Sequence, residues 1–101
     1  MAKGYWIAHV DVTDPEGYKK YIAANAVAFA KYGGRFLVRG GAHKVAVGAA
    51  KARQIVIEFP DYAAALACLE SEEYRRAAEL RDAASNADLV IAEGYDGPKP
   101  G

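Results

Sequence analysis

The sequence predicts an α+β domain with the order β-α-β-β-α-β, the split-βαβ or ferredoxin-like arrangement. Three observations carry that expectation. Segments near 5–12, 35–39, 52–59 and 88–93 alternate side chains in the manner of strands, or run apolar. Segments after residues 14 and 61 repeat apolar residues every three or four positions, as helices do. Capping residues, prolines and glycine pairs mark the joins. The expected architecture is one four-stranded antiparallel sheet with two helices on one face.

The elements follow in order. Tyr5 to Val12 alternates, with Trp6, Ala8, Val10 and Val12 on one face and Tyr5, Ile7, His9 and Asp11 on the other. Asp14, Pro15 and Glu16 then make a helix start: a capping carboxylate, a proline at the first helical position and an acid near the dipole's positive end. Tyr18, Tyr21, Ile22, Asn25, Phe29 and Tyr32 form one helical stripe, which Gly33-Gly34 ends. Arg35 to Arg39 is the second strand. Alternation puts both arginines on one face and Phe36 and Val38 on the other. Gly40-Gly41 reads as a bulge, after which Val45 and Val47 suggest resumed pairing and residues 48–51 a hairpin turn. The third strand runs from about Ala52 to Phe59 and stops at Pro60. Asp61 caps a helix carrying Ala65, Leu66 and Leu69, and Ser71-Glu72-Glu73 marks a break and restart within it. The fourth strand spans about Asp88 to Glu93. Residues 1–95 are expected to form one domain, and 96–101, rich in glycine and proline, a loose tail.

Face assignments define what the sheet is for. Trp6, Ala8, Val10, Phe36, Val38, Ile55, Ile57, Phe59, Val90 and Ala92 should lie under the helices. The other face mixes Tyr5, Ile7, His9, Asp11, Arg35, Leu37, Arg39, Gln54, Val56, Glu58, Leu89, Ile91 and Glu93. That mixture is too apolar to remain wet, so a homodimer joined through the sheet face is expected.

Composition narrows the classes of function. Thirteen basic residues balance thirteen acidic ones, which removes the electrostatic case for nucleic acid or an anionic membrane. No apolar run approaches a membrane span and no h-region follows Lys3, so a cytoplasmic protein is expected. Cys68 is the single cysteine, so no internal disulfide forms; its alanine- and leucine-rich helix suggests a small buried apolar residue. The two histidines have no local ligand spacing, and Gly40 to Lys44 lacks the Lys-Ser/Thr of a P-loop; neither a metal nor a cofactor is expected.

Five blocks occur in order: Tyr5-Trp6-Ile7-Ala8 with Asp11-Val12-Thr13-Asp14-Pro15, then Gly33 to Gly41, Val56-Ile57-Glu58-Phe59-Pro60, Ser71-Glu72-Glu73-Tyr74 and Leu89-Val90-Ile91-Ala92-Glu93-Gly94. Together they resemble the domain of unknown function family 1330. The connection from Ala42 to Lys51 departs from it, being shorter than is common there and lacking an acid near Lys44. The resemblance implies a dimeric α+β barrel, in which two ferredoxin-like sheets meet. That superfamily holds cofactor-free monooxygenases, isomerase-like enzymes and members without known activity.

The candidate catalytic residues are His9 and Asp11, which share a strand face. The carboxylate could orient the imidazole as a general base or proton shuttle, or the two could be a polar pair at a subunit interface. The candidate ligand-binding residues are Arg39, Asn25, Tyr74, Arg81 and Glu58. Arg35, Arg39, Glu58 and Glu93 on one face read either as an arginine clamp for a substrate carboxylate or as an ion-pair network setting dimer register. Asn25 interrupts an apolar stripe, where it bonds a ligand or the backbone. Tyr74 and Arg81, two helical turns apart, share a face. Two functions follow: a dimer that binds or transforms a small anionic or aromatic molecule without a cofactor, or a structural or regulatory homodimer. A concave pocket with Arg39 or His9 exposed to it would favour the first, and a dry, fully paired interface without a cavity in the helix–sheet layer the second.

Overall fold

The computed structural model describes residues 2–100. The chain runs β1 (Gly4–Val12), α1 (Pro15–Tyr32), β2 (Arg35–Arg39), β3 (Arg53–Phe59), α2 (Tyr62–Glu70), α3 (Glu72–Ala84) and β4 (Ser85–Glu93). The sheet order is β2-β3-β1-β4, every neighbouring pair antiparallel. This is the expected ferredoxin-like α+β fold.

Local signals set the helix ends. Gly33, at φ 76°, provides the left-handed end of α1. Asp14 occupies the N-cap position of α1, but its side chain makes no capping bond. The Asp61 carboxylate accepts from the Ala64 amide at 2.7 Å. Ser71 serves two helices: its hydroxyl donates to the Cys68 carbonyl at 2.6 Å and accepts from the Tyr74 amide at 3.1 Å. One serine thus stops α2 and starts α3, as the capping pattern predicted.

The core is aromatic. Trp6 on β1 meets Tyr74 and Phe29 edge-on, at centroid distances of 4.7 and 5.2 Å, and Phe59 at 5.5 Å. Its indole N–H donates to the Ala65 carbonyl at 2.9 Å, so burial leaves no orphaned donor. Cys68 is fully buried against this cluster.

Three expectations about the sheet change. First, β4 begins three residues earlier than expected and has the opposite phase. Trp6 pairs with Ile91 and Ala8 with Leu89, so Leu89 and Ile91 face the helices and Val90 and Ala92 the open side. Leu-Val-Ile-Ala is apolar in both phases, so alternation could not choose; pairing with β1 does. Glu93 lies opposite Gly4, away from the open-face carboxylates.

Second, the bulge is at Leu37, not at Gly40-Gly41. Phe36 pairs with Ile57 and Val38 with Val56, so Leu37 is the extra residue. The phase therefore reverses within β2. Val38 turns to the open face, and Arg39, opposite Ile55, turns to the helix side. Arg35 and Arg39 do not share a face.

Third, no strand resumes at Val45 or Val47; residues 40–52 form an irregular, mostly exposed connection. Beyond β4 the chain to residue 100 forms no helix or strand.

Candidate functional site

A cavity of about 30 Å3 lies between the helices and the sheet. Its floor is Ala8, Val10, Ile55, Ile57, Ala87 and Leu89, and rings of Trp6, Phe29 and Phe36 line it. Its polar groups come from the helices: Tyr21 and Asn25 on α1, Tyr74 and Arg81 on α3. Tyr18, Tyr21 and Asn25 reach it because they lie on the stripe of α1 that packs on the sheet. Tyr74 and Arg81 are separated by two turns of α3, so their side chains converge.

These groups form a chain of hydrogen bonds. The Arg81 Nη1 donates to the Tyr74 hydroxyl at 2.9 Å, and the Tyr74 and Tyr21 hydroxyls lie 2.7 Å apart. The Asn25 amide stands beside the Tyr21 hydroxyl. The remaining Arg81 nitrogens hold Asp82 at 3.0 and 3.1 Å, which fixes the guanidinium. Burial pushes both phenols above the ordinary tyrosine range, Tyr21 most of all; at Tyr74 the Tyr21 bond and the Arg81 charge pull the other way. Burial works against the Arg81 charge, but Tyr74 and Asp82 outweigh it and hold its pKa above the usual value. The site at neutral pH is two neutral phenols and one cation.

The structure brings Asn25, Tyr74 and Arg81 together and places the other candidates elsewhere. His9 and Asp11 are on the open face and hold the end of the 40–52 connection rather than each other. The Lys51 amide donates to the His9 Nδ1 at 2.6 Å, and the Ala52 amide to the Asp11 carboxylate at 2.8 Å. The His9 Nε2 faces Asp88 at 3.1 Å, so Asp88, not Asp11, is the carboxylate on the imidazole; Lys51 Nζ also pairs with Asp88. Glu58, on the open face, accepts from the Arg35 Nε at 2.9 Å and the Tyr5 hydroxyl at 3.1 Å. The Arg35 bond chiefly holds its carboxyl below the usual range, although burial pulls upward. Arg39 is outside the cavity lining; its guanidinium stands 4.1 Å from the centre of the Phe36 ring, which is part of that lining.

Sequence reading missed two residues here. Tyr21 was placed on the stripe but not in the site. Arg53 lies opposite Val10, on the helix side of β3, and its Nε is buried without a hydrogen-bond partner. Strand alternation carried that signal, since Arg53 continues the apolar series Ile55, Ile57, Phe59. Cys68 is outside the cavity lining, and burial pushes its thiol up to about 12, which keeps it unreactive at neutral pH. Among the described residues no group of three or more His, Cys, Asp or Glu side chains could hold a metal ion.

Fold and cavity together define a ferredoxin-like α+β protein with an aromatic chamber between helices and sheet. The chain belongs to the DUF1330 family, a domain of unknown function, whose model matches residues 3–95. No protein with a curated description matches it. Among solved structures it is similar to RPA0582, a protein of unknown function from Rhodopseudomonas palustris, at TM-score 0.75 and 18% identity, over 95% of this chain and 85% of that one. It is also similar to SnoaB, a cofactor-independent oxygenase from Streptomyces nogalater, at TM-score 0.64 and 16% identity over the whole of both chains. An antibiotic biosynthesis monooxygenase aligns at TM-score 0.51 and 20% identity, over 94% of this chain and 99% of that one. Identities this low establish the shared fold. Among the described residues no helix is long and apolar enough to cross a membrane.

Proposed function

We propose that the chain is a homodimer that binds, and transforms without a cofactor, a small aromatic or anionic molecule in the helix–sheet cavity. The Tyr21–Tyr74–Arg81 chain carries this reading. One phenol hydrogen satisfies the contact between the two hydroxyls; the other is left for an acceptor. Arg81 donates to Tyr74 and so strengthens that hydroxyl as a donor. The polar end therefore suits a ligand oxygen that carries or develops negative charge, and the surrounding rings suit an aromatic body. An electron-rich anion of that kind is a substrate able to react with oxygen directly, which is the chemistry named for SnoaB. A cavity of about 30 Å3 is the scale of one or two waters, so a ring-sized ligand enters by displacing a wall.

The dimer reading rests on the open face. Val38, Val56, Ile7 and Val90 form one apolar rung across all four strands. Ile7 is 47% and Val90 60% exposed in the single chain, and Leu37 beside them 47%. Such a row suits a second copy of the same face.

The test is a thermal-shift screen of small phenols and carboxylic acids against the full chain, repeated on Tyr74→Phe and Arg81→Gln. Stabilising hits that weaken in both variants are expected. A screen without hits, or hits indifferent to both substitutions, would overturn the cavity reading.

A further inference from the structure

We infer that Arg39 and Arg53 form a carboxylate-binding subsite at the edge of the cavity, so that the ligand is an aromatic carboxylate. The inference deepens the proposed cavity reading and rests on it. The bulge at Leu37 turns Arg39 to the helix side, where it lies opposite Ile55. Arg53 is two residues from Ile55 on the same strand and so on the same side. Each guanidinium stands against a ring that lines the cavity: Arg39 over Phe36 at 4.1 Å and Arg53 near Tyr18 at 5.8 Å.

Neither arginine makes an ion pair among the described residues, whereas Arg35, Arg76 and Arg81 each hold a carboxylate. Two like charges on the same side of the sheet, without a counter-charge, repel, and an anion between them relieves that repulsion. The Arg53 Nε is buried and has no partner, so part of the guanidinium fork is already desolvated. Gly40 makes this possible. Its φ of 69° and missing side chain leave the space that the Arg53 guanidinium fills; a Cβ there would collide with it. A carboxylate satisfies the planar forks, and an attached ring continues the aromatic lining. The oxygen acceptor site at Tyr21 and Tyr74 then receives the far end of the same ligand.

The experiment titrates the full chain with benzoate and with benzamide, its neutral analogue of the same size, by calorimetry at neutral pH. Benzoate is expected to bind about tenfold tighter or more, as charge-assisted bonds replace neutral ones. Arg53→Met should erase that preference, and Arg53→Lys should restore only part of it, because an ammonium lacks the planar fork. Arg39→Gln, at an exposed position, should reduce the preference without disturbing the fold. Lys20→Gln, on the exposed side of α1, should leave it unchanged. Equal binding of both probes would overturn the subsite and leave the cavity reading standing. Binding of neither would overturn both. A preference that survives in Arg53→Met and Arg39→Gln would assign the anion to another place and overturn the subsite.

Discussion

The His9 imidazole accepts the Lys51 amide on Nδ1 at 2.6 Å, and this bond ties the end of the irregular 40–52 connection to the central strand. An Nδ1 that accepts must leave the proton on Nε2, which faces Asp88. Nitrogen NMR at neutral pH should show the Nε2–H tautomer. His9→Leu should cost about 1–3 kcal/mol in urea unfolding, because the Lys51 N–H loses its acceptor, while His9→Asn should recover part of it. A His9→Leu variant as stable as the parent would show that the bond holds nothing.

Tyr21 and Tyr74 resist ionisation. Both phenols have raised pKa values in the folded chain, so the folded state keeps protons that the unfolded chain gives up. Stability from this source is present below the ordinary tyrosine value of 10.0 and falls as pH rises above it. Ultraviolet titration should show part of the tyrosine absorbance change delayed until the protein unfolds in alkali. Tyr74→Phe should reduce the delayed part.

Acid stability runs the other way. Glu58 and Asp88 have folded pKa values below 4.5 and 3.8, held down by Arg35 and Lys51 respectively. The stability they contribute is present above those ordinary values and is lost as pH falls through the lowered ones. Thermal unfolding followed from pH 6 to pH 2 should show the loss below about pH 4. Arg35→Gln and Lys51→Gln should each flatten the curve, and high salt should do the same.

Gly40→Ala should destabilise the chain by about 1–2 kcal/mol, since φ is 69° there and the added carbon meets Arg53. Gly48→Ala is the control, because φ is 78° there as well and nothing lies within 4 Å of its added carbon. Equal effects in chemical denaturation would show that the Arg53 contact is irrelevant.

The open-face rung predicts association through Ile7 and Val90. Sedimentation at micromolar concentration should give a dimer for the parent chain and a folded monomer for Val90→Lys. A parent chain that sediments as a monomer would remove the sheet-face dimer.

The helices and their ends were legible in the sequence because the signals are local. Asp61, Ser71 and Gly33 act on backbone groups within a few residues, and the Tyr18–Tyr21–Asn25–Phe29 stripe needs only helical spacing. β1 and β3 were legible because their alternation separates Trp6 from Ile7 and Ile57 from Glu58. The site was legible in part. Tyr74 and Arg81 converge by helix geometry, and Asn25 interrupts an apolar stripe, so three of its groups could be nominated without coordinates. The partnership of Tyr21 with Tyr74 joins two helices, and no local pattern contains it.

The sequence by itself determined the element order, the caps at Asp61 and Ser71, the aromatic core and the family resemblance. Tertiary structure decided which face each ambiguous residue takes. The phase of Leu89-Val90-Ile91-Ala92 depends on hydrogen bonds to β1, and the turn of Arg39 away from Arg35 depends on one extra residue in the β2–β3 ladder. A strand has a two-residue period, so one unpaired residue moves every later side chain to the opposite face. That single shift separates Arg39 from the open-face acids and sets it on the helix side of the sheet, where Arg53 also lies.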